Sequence, residues 1–483
     1  MLEFLTNPWT YIIAAVDLTL ALAVTFHAVL KKRETGSIIA WVGLAWLAPF
    51  VGPLAYYSFG INRIQRKAVS LEIGEDHTTE PPVYHDIDFQ LRAEMLEHCP
   101  GLRGLSELGK NVTGKPVLPG NSITLLRDGD EAYPAMLDAI DRAEVSIALL
   151  SYIFDSDQAG EKFLKSLKAA RDRGVEVRVL IDFVGSRYSK PSMVDRLRAE
   201  GLNVSAFLPT RSLRLFNYAN LRNHRKILVV DGKTGFTGGT NIREGHCLEL
   251  KPGFPVQCAH FKLVGPVVTH LMEVFVIDWD FARGEALGGD LWFPKIERTE
   301  NHIGARGVAD GPDKDFENMS EVILGGLTTA ARNVRVASPY FIPDPPILRA
   351  LGVAARRGVQ VDIVLPSGNN VPIVDWAATP LLAQVIERGC RVHRSAPPFD
   401  HTKIMTIDGV WSLIGSTNWD PRSLRLNFEF NVECYSMPLA QELEQLIDEK
   451  IAGGRLLTLQ EIENRSLPVK LRDGLARLAS PYL

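Results

Sequence analysis

A ten-residue phrase occurs twice in this chain, and the second occurrence restricts the fold more than any other feature. The first copy, Asn223 to Gly232, reads Asn-His-Arg-Lys-Ile-Leu-Val-Val-Asp-Gly and leads into Thr237-Gly238-Gly239-Thr240-Asn241. The second, Asp400 to Gly409, reads Asp-His-Thr-Lys-Ile-Met-Thr-Ile-Asp-Gly and leads into Ile414-Gly415-Ser416-Thr417-Asn418. Laid over each other without a gap, His224 falls on His401, Lys226 on Lys403, Asp231 on Asp408, Gly238 on Gly415 and Asn241 on Asn418. Two copies in phase are an internal duplication, so the chain must build two like units.

Each copy predicts a buried strand and a tight turn, because Ile227 to Val230 and Ile404 to Ile407 are apolar and largely β-branched and each run stops at Asp-Gly. Side chains alternate along a strand, so the histidine and lysine at i and i+2 share one face, with Arg225 or Thr402 on the other. An imidazole beside an ammonium suits a phosphate. The lysine supplies positive charge, and the histidine attacks phosphorus or passes a proton. After a second short strand, Asn241 and Asn418 each offer an amide donor to a phosphoryl oxygen. Asp231 and Asp408 belong to the same repeated phrase and are candidates with the histidines and lysines, although Asp-Gly turns favour Asp whatever the chemistry.

The flanks repeat as well. In the first half Ile123 to Leu126 reads as a strand, Tyr133 to Arg142 as a helix, Val145 to Phe154 as a strand, Ala159 to Arg173 as a helix and Val175 to Ile181 as a strand. The second half runs Glu321 to Arg332 helix, Val334 to Tyr340 strand, Pro346 to Arg357 helix, Val359 to Leu365 strand. The order predicts an α/β fold of two pseudo-repeated α/β/α halves, 116–300 and 301–483, each with a largely parallel sheet covered by helices. No G-x-G-x-x-G follows the first strand of either half, so a dinucleotide site has no motif.

Before these halves lie two apolar stretches, about 9–30 and 38–59, joined by Lys31-Lys32-Arg33-Glu34-Thr35-Gly36-Ser37. Each is long enough to cross a hydrocarbon core of about 30 Å, so residues 1–62 read as a transmembrane helical hairpin. Ala48-Pro49-Phe50-Val51-Gly52-Pro53 interrupts the second stretch and predicts a kink, or a dip into one leaflet and back. Orientation stays open at this point, because Arg63, Arg66 and Lys67 follow the second stretch as Lys31 to Arg33 follow the first. Residues 63–115 read as a connector, acidic from Glu72 to Pro82, with short helical patterns at Leu91 to Leu96 and Leu102 to Leu108.

A net charge of -4 and a pI near 6.3 argue against bulk nucleic-acid binding. The five cysteines, Cys99, Cys247, Cys258, Cys390 and Cys434, are scattered, with no C-x-x-C pair. That pattern disfavours a disulfide framework and a zinc site, and no other ligand spacing points to a metal or cofactor.

The doubled H-x-K-x4-D with G-[GS]-T-N resembles the phospholipase D superfamily, whose two copies come together in one active site. Trp419-Asp420-Pro421-Arg422-Ser423, Leu426-Asn427-Phe428-Glu429, Ser338-Pro339-Tyr340-Phe341-Ile342-Pro343-Asp344 and Gly265-Pro266-Val267-Val268 resemble the bacterial cardiolipin synthases in particular, as does the stretch Trp46 to Gly60. The resemblance implies a phosphatidyltransferase that makes cardiolipin and glycerol from two phosphatidylglycerol molecules at the bacterial inner membrane, with its catalytic part in the cytoplasm and phospholipids and the bilayer as partners. It implies His224 as nucleophile through a phosphohistidine and His401 as acid and base. It also puts a carboxylate, Glu429, behind the histidine of its own copy, His401. Relatives commonly carry an acid seven residues before the glycine of Gly265-Pro266, where this chain has Cys258, so what orients His224 is left to Glu249, another acid, the backbone or water. A lipid hydrolase releasing phosphatidic acid, a phosphatidyltransferase with another donor, a nuclease and a non-catalytic scaffold are the alternatives; the acidic pI and the apolar hairpin speak against the nuclease.

Overall fold

The computed structural model describes residues 8–31, 35–60, 91–209, 221–312 and 314–480. The chain divides into two compact units, Met1–Gly74 with Thr210–Asn220, and Glu75–Pro209 with Leu221–Leu483. The acidic part of the expected connector, Glu72 to Pro82, falls outside the described residues.

In the first unit, helix α1 (Pro8–Lys31) has 24 residues, about 36 Å at 1.5 Å per residue and enough to cross a bilayer. Among the described residues it is the one helix long and apolar enough to do so. The second expected span is not a continuous helix. Helix α2 (Thr35–Leu47) has 13 residues, about 20 Å, and stops where Pro49 ends the run; Phe50 takes φ 57° before a short α3 (Val51–Ala55) and a π turn, Tyr56–Gly60. The chain then doubles back on α2. Tyr56 and Trp41 would lie about 22 Å apart along a straight helix, yet their ring centroids are 5.3 Å apart. Gly52 passes so close that a Cβ there would meet the Leu44 carbonyl oxygen at 2.2 Å, so only glycine permits the return. Polar contacts hold the break to α1. Asp17 Oδ1 accepts the Phe50 N–H at 2.9 Å, Trp46 Nε1 donates to Thr25 Oγ1 at 3.0 Å, and His27 Nδ1 pairs with the Tyr56 hydroxyl at 2.7 Å.

The second unit is built on one large sheet and a separate two-stranded one, Val256–Gln257 with Phe399–Asp400. Its first half supplies β1 (Leu118–Arg127), β2 (Ser146–Ser151), β3 (Glu176–Asp182), β4 (Val204–Phe207), β5 (Arg222–Asn223), β6 (Ile227–Val230), β7 (Thr234–Gly238), β8 (Val256–Gln257) and β9 (Ala259–Val264). The second half supplies β10 (Ile303–Asp310), β11 (Asn333–Ala337), β12 (Gln360–Pro366), β13 (Arg391–Ser395), β14 (Phe399–Asp400), β15 (Ile404–Ile407), β16 (Trp411–Gly415), β17 (Asn427–Tyr435) and β18 (Arg455–Leu457). Across the sheet the order is β18-β13-β12-β11-β15-β16-β17-β10-β1-β9-β7-β6-β2-β3-β4, which reads alike outward from the β10-β1 seam in both directions. Along this order the parallel pairs are those of the wings, β2-β3-β4 and β11-β12-β13.

The expectation of a largely parallel sheet in each half is therefore corrected to a mixed one. The strand expected to open the first βαβ unit, β1, pairs antiparallel with β9 and β10 and joins the halves. In each wing a helix packs an apolar stripe on the strands: Phe163, Leu164 and Leu167 of Gln158–Asp172 bury against Ile147, Leu149 and Val179, and Leu348 and Leu351 of Pro345–Arg356 against Val334 and Ile363. Burial of each such side chain contributes about 1.5–3 kcal/mol.

Both Asp-Gly pairs form hairpin turns with positive φ at both central residues, 51° and 62° at Asp231-Gly232, 52° and 67° at Asp408-Gly409. The Asp231 carboxylate accepts backbone N–H groups of Glu144, Val145 and Ser146, and that of Asp408 accepts those of Ala331, Arg332 and Asn333. These carboxylates tie each turn to the start of the neighbouring strand. They stand at the far end of β6 and β15 from the histidines, which corrects the inclusion of Asp231 and Asp408 among the catalytic candidates. Asp408→Ala removes three such bonds at about 1 kcal/mol net apiece. The expected result is a loss of about 2–4 kcal/mol in denaturant unfolding, with turnover per folded molecule kept within about threefold.

Candidate active site

Each histidine segment is anchored on a strand of the other half. β5 pairs in parallel with β17, and β14 with β8, so the His224 N–H donates to the Phe428 carbonyl at 2.9 Å and the His401 N–H to that of Gln257 at 2.7 Å. An Asx bond fixes each bend: Asn223 Oδ1 accepts the Arg225 N–H at 3.2 Å, and Asp400 Oδ1 the Thr402 N–H at 3.0 Å. Behind the first segment Arg225 pairs with Asp278 at 2.6 Å and lies over the Phe428 ring; behind the second, Lys450 pairs with Asp400 at 2.8 Å. This exchange turns the two imidazoles toward each other, ring centroids 6.5 Å apart and planes at 83°, in a cleft of about 350 Å³ that Asn241 and Asn418 also line.

The histidines differ in what holds their second nitrogen. His224 Nδ1 lies 2.9 and 3.0 Å from the two Glu429 oxygens, and Ser416 Oγ donates to the same carboxylate at 2.5 Å. Glu429 thus serves the histidine of the opposite copy, which corrects the expectation that it backs His401. Sheet register identifies its counterpart: Gly415 pairs with Asn431 and Gly238 with His260, so Glu429 and Cys258 each stand two residues before the equivalent position. Cys258, its thiol pushed up to about 11 by burial, donates to the His401 carbonyl at 3.3 Å. His401 Nδ1 instead meets the Gly239 carbonyl at 3.0 Å. A side chain at residue 239 would meet the Cys258 sulfur at 2.6 Å and the His401 carbonyl at 2.8 Å, so glycine is required there.

Both Nδ1 partners are acceptors, so each imidazole carries its proton on Nδ1 and offers the Nε2 lone pair to the cleft. Burial pushes His224 down to about 4 against the opposing pull of Glu429, and burial with Lys403 and Lys226 holds His401 well below the usual histidine range. Lys226 and Lys403 donate to the carbonyls of their own histidines at 2.6 and 2.7 Å. Burial lowers Lys226 to about 7, although Glu429 works to raise it, and lowers Lys403 to about 8. Glu429 acts on both nearly dehydrated ammonium groups, and Asp420, which also lines the cleft, acts on Lys403; a phosphate between the lysines would offset the rest of their desolvation cost.

Asn241 Oδ1 accepts the Ile153 N–H at 3.3 Å, which turns its amide nitrogen to the cleft. Asn418 Nδ2 lies 3.1 Å from Ser423 Oγ while its Oδ1 is buried without a partner among the described residues. Turned over, the amide accepts from Ser423 and presents NH2 to the cleft as Asn241 does. Sequence reasoning missed Tyr152, edge-on to His224 at 4.9 Å, and Arg222 and Phe399, which precede the two histidines by two residues. Strand alternation alone would have put those last two on the histidine face. It also missed His246, whose ring lies 6.4 Å from that of His401. Glu249, weighed as a replacement acid, does not line the cleft.

The family described as "Cardiolipin synthase, PLD-like domain" matches residues 136–249 and 323–451, and "Phospholipase D-nuclease N-terminal" matches 11–60. The chain is 31% identical over 459 residues to a cardiolipin synthase of Geobacillus kaustophilus, covering 94% of this chain and 90% of that one. A cardiolipin synthase of Geobacillus thermodenitrificans is 32% identical over 466 residues, 95% of this chain and 91% of that one. Among solved structures, a phosphatidylserine synthase of Haemophilus influenzae aligns with a TM-score of 0.63 at 14% identity, over 79% of this chain and all of that one, and so shares the fold.

Replacing Glu429 tests the electrostatics. Its charge raises the pKa of Lys226 and of His224, so Glu429→Gln lowers both. The alkaline limb of kcat/KM, expected between about 7 and about 8 where the lysines of the free protein lose charge, moves to lower pH. With the imidazole tautomer no longer fixed, kcat falls by about 10²–10⁴. A limb that stays in place in this variant would show that Lys226 does not set it.

Proposed function

This chain belongs to the cardiolipin synthase family of phospholipase D-like proteins, and we propose that it transfers a phosphatidyl group from one phosphatidylglycerol to a hydroxyl of a second, giving cardiolipin and glycerol. The observation that carries the reading is the facing pair of imidazoles, 6.5 Å apart and each flanked by a buried lysine. In-line displacement at phosphorus needs a nucleophile on one side and a proton donor on the other, and one phosphoryl group fits between them.

In the first step His224 Nε2 attacks phosphorus and the bond to the glycerol oxygen breaks. His401 gives that oxygen its proton. In the second, His401 takes the proton of the incoming lipid hydroxyl, whose oxygen bonds to phosphorus and displaces His224. The unequal partners of the two rings support this division. Phosphorylation of an imidazole makes it cationic, and the Glu429 carboxylate at 2.9 Å stabilises that charge. The neutral Gly239 carbonyl leaves His401 free to exchange its proton in both directions, and the substrate phosphate supplies the negative charge that favours protonation in the first step. Lys226, Lys403, Asn241 and Asn418 hold the phosphoryl oxygens.

The purified full-length chain, given labelled phosphatidylglycerol as the only lipid, is expected to yield cardiolipin and glycerol in equal amounts, with excess glycerol reversing the reaction. Either His224→Ala or His401→Ala lowers the rate about 10³-fold or more. Phosphatidic acid as sole product would make water the acceptor and overturn the transferase reading.

For location we propose the bacterial inner membrane, with α1 as the one full crossing and α2-α3 as a re-entrant segment. The return of Tyr56 to the level of Trp41 and His27 supports it, because the re-entrant segment then ends, at Gly60, on the side where α1 ends at Lys31. With Lys31 and Gly60 on one side, the positive-inside rule, applied to the lysines and arginines that follow each of them in sequence, puts that side and the catalytic half-sites in the cytoplasm. A membrane-impermeant maleimide should label Thr6→Cys in spheroplasts and Lys470→Cys only after lysis. Labelling of both only after lysis would restore two full crossings.

A further inference from the structure

The duplication makes unlike residues at equivalent places informative, since the fold does not require them. Along the first motif strand Arg222, His224 and Lys226 share one face at i, i+2 and i+4. Arg222 and His224 line the cleft, and Lys226 is buried out of its lining. The equivalent of Arg222 in the second copy is Phe399, whose ring packs 6.1 Å from that of His401 and 6.4 Å from that of Tyr340. Arg422, four residues after Asn418, lines the same cleft and has Gly245 as its equivalent. The mouth thus has an aromatic wall above His401 and a cationic wall above His224.

Both cations act on Tyr152, and Arg422 opposes the charge of Arg222. Arg222 is 7% exposed, with Nη1 donating to the Leu221 carbonyl at 2.8 Å and Asp182 behind it. With Lys226 and Lys403, Arg222 and Arg422 make four cations at this cleft, against the carboxylates Asp182, which acts on Arg222, Asp420, which acts on Arg422, and Glu429, an excess of positive charge that favours a bound anion. Arg243, the third arginine of the cleft, pairs with Asp155 at 3.3 Å.

We propose that Arg222 and Arg422 form a second phosphate subsite, which binds the phosphodiester of the acceptor lipid while its hydroxyl meets the phosphohistidine. Resting on the transferase reading above, it names how the acceptor is recognised. The spacing fits. One i to i+2 step along a strand is about 7 Å. In a glycerol head group the terminal hydroxyl oxygen is separated from the head group's own phosphorus by five single bonds of about 1.5 Å, extended to about 6 Å. An acceptor with its hydroxyl between the histidines therefore carries its phosphate up to the arginine tier. Water and free glycerol lack that group and gain nothing from the wall, which selects a second acidic lipid over either.

Soluble acceptors test this with the full-length chain in detergent and phosphatidylglycerol as donor. Glycerol exchanges into the donor head group; glycerol 3-phosphate has the same hydroxyl and adds a phosphate at the required spacing, giving phosphatidylglycerophosphate and glycerol. The wild type is expected to use glycerol 3-phosphate with a kcat/KM about tenfold to a hundredfold above that for glycerol, the worth of charge-assisted hydrogen bonds. Arg222→Gln and Arg422→Gln should each remove most of that preference, and Arg422→Lys should keep part of it. Inorganic phosphate should compete with glycerol 3-phosphate and not with glycerol. Equal use of the two acceptors by the wild type overturns the subsite even if a variant fails to fold, as does an equal loss on both acceptors in folded variants. A wild type that exchanges glycerol but makes no cardiolipin overturns instead the transferase reading on which the subsite rests.

Discussion

The contact on which the site depends is the one between Glu429 and His224, 205 positions apart in the chain and in opposite halves. Glu429 is wholly buried, and a carboxylate in that position is tolerable only with donors on it. His224, Ser416 and Asn427 provide them. The same carboxylate fixes the His224 tautomer and sustains the charge of Lys226. None of this exists in one half alone. The β5-β17 and β14-β8 pairings carry each motif strand across to the other copy, so neither half holds a complete set of groups by itself.

Duplication followed by divergence gives the site its direction. Two identical half-sites would leave attack and protonation interchangeable. Here Glu429 faces one imidazole and a backbone carbonyl faces the other, because Cys258 and Gly239 stand where the second copy has Glu429 and Ser416. The mouth of the cleft is unlike on its two sides for the same reason, with Arg222 and Arg422 on one and Phe399 on the other. At the Asp231 and Asp408 turns the shared residues serve the strands, whereas the shared histidines and asparagines line the cleft.

The N-terminal segment obeys a different rule. An apolar stretch of sufficient length suggested a second crossing, but Pro49, Gly52 and Pro53 redirect the backbone, and Asp17, Thr25 and His27 meet the polar groups that the break exposes. Hydropathy counts residues and is blind to the direction in which they run.

Much of the molecule was legible in order of residues. The repeat, the βα alternation, the His-Lys faces and the hairpin turns all follow from periods of two and 3.6 and from the positive φ that Asp-Gly accepts, properties decided within a few residues. The sequence by itself therefore determined the two half-sites and the phosphate chemistry they suit. Which strand lies beside which was not decided there. β1 became the seam between the halves rather than the first strand of a parallel wing, Glu429 went to His224 rather than to His401, and Tyr152, His246 and Arg222 joined the cleft. Those outcomes depend on hydrogen-bonded pairing between segments as many as two hundred positions apart, and no local pattern encodes them, because a strand offers the same N–H and C=O groups to any neighbour. Only the packing of the two halves into one sheet selects the partner.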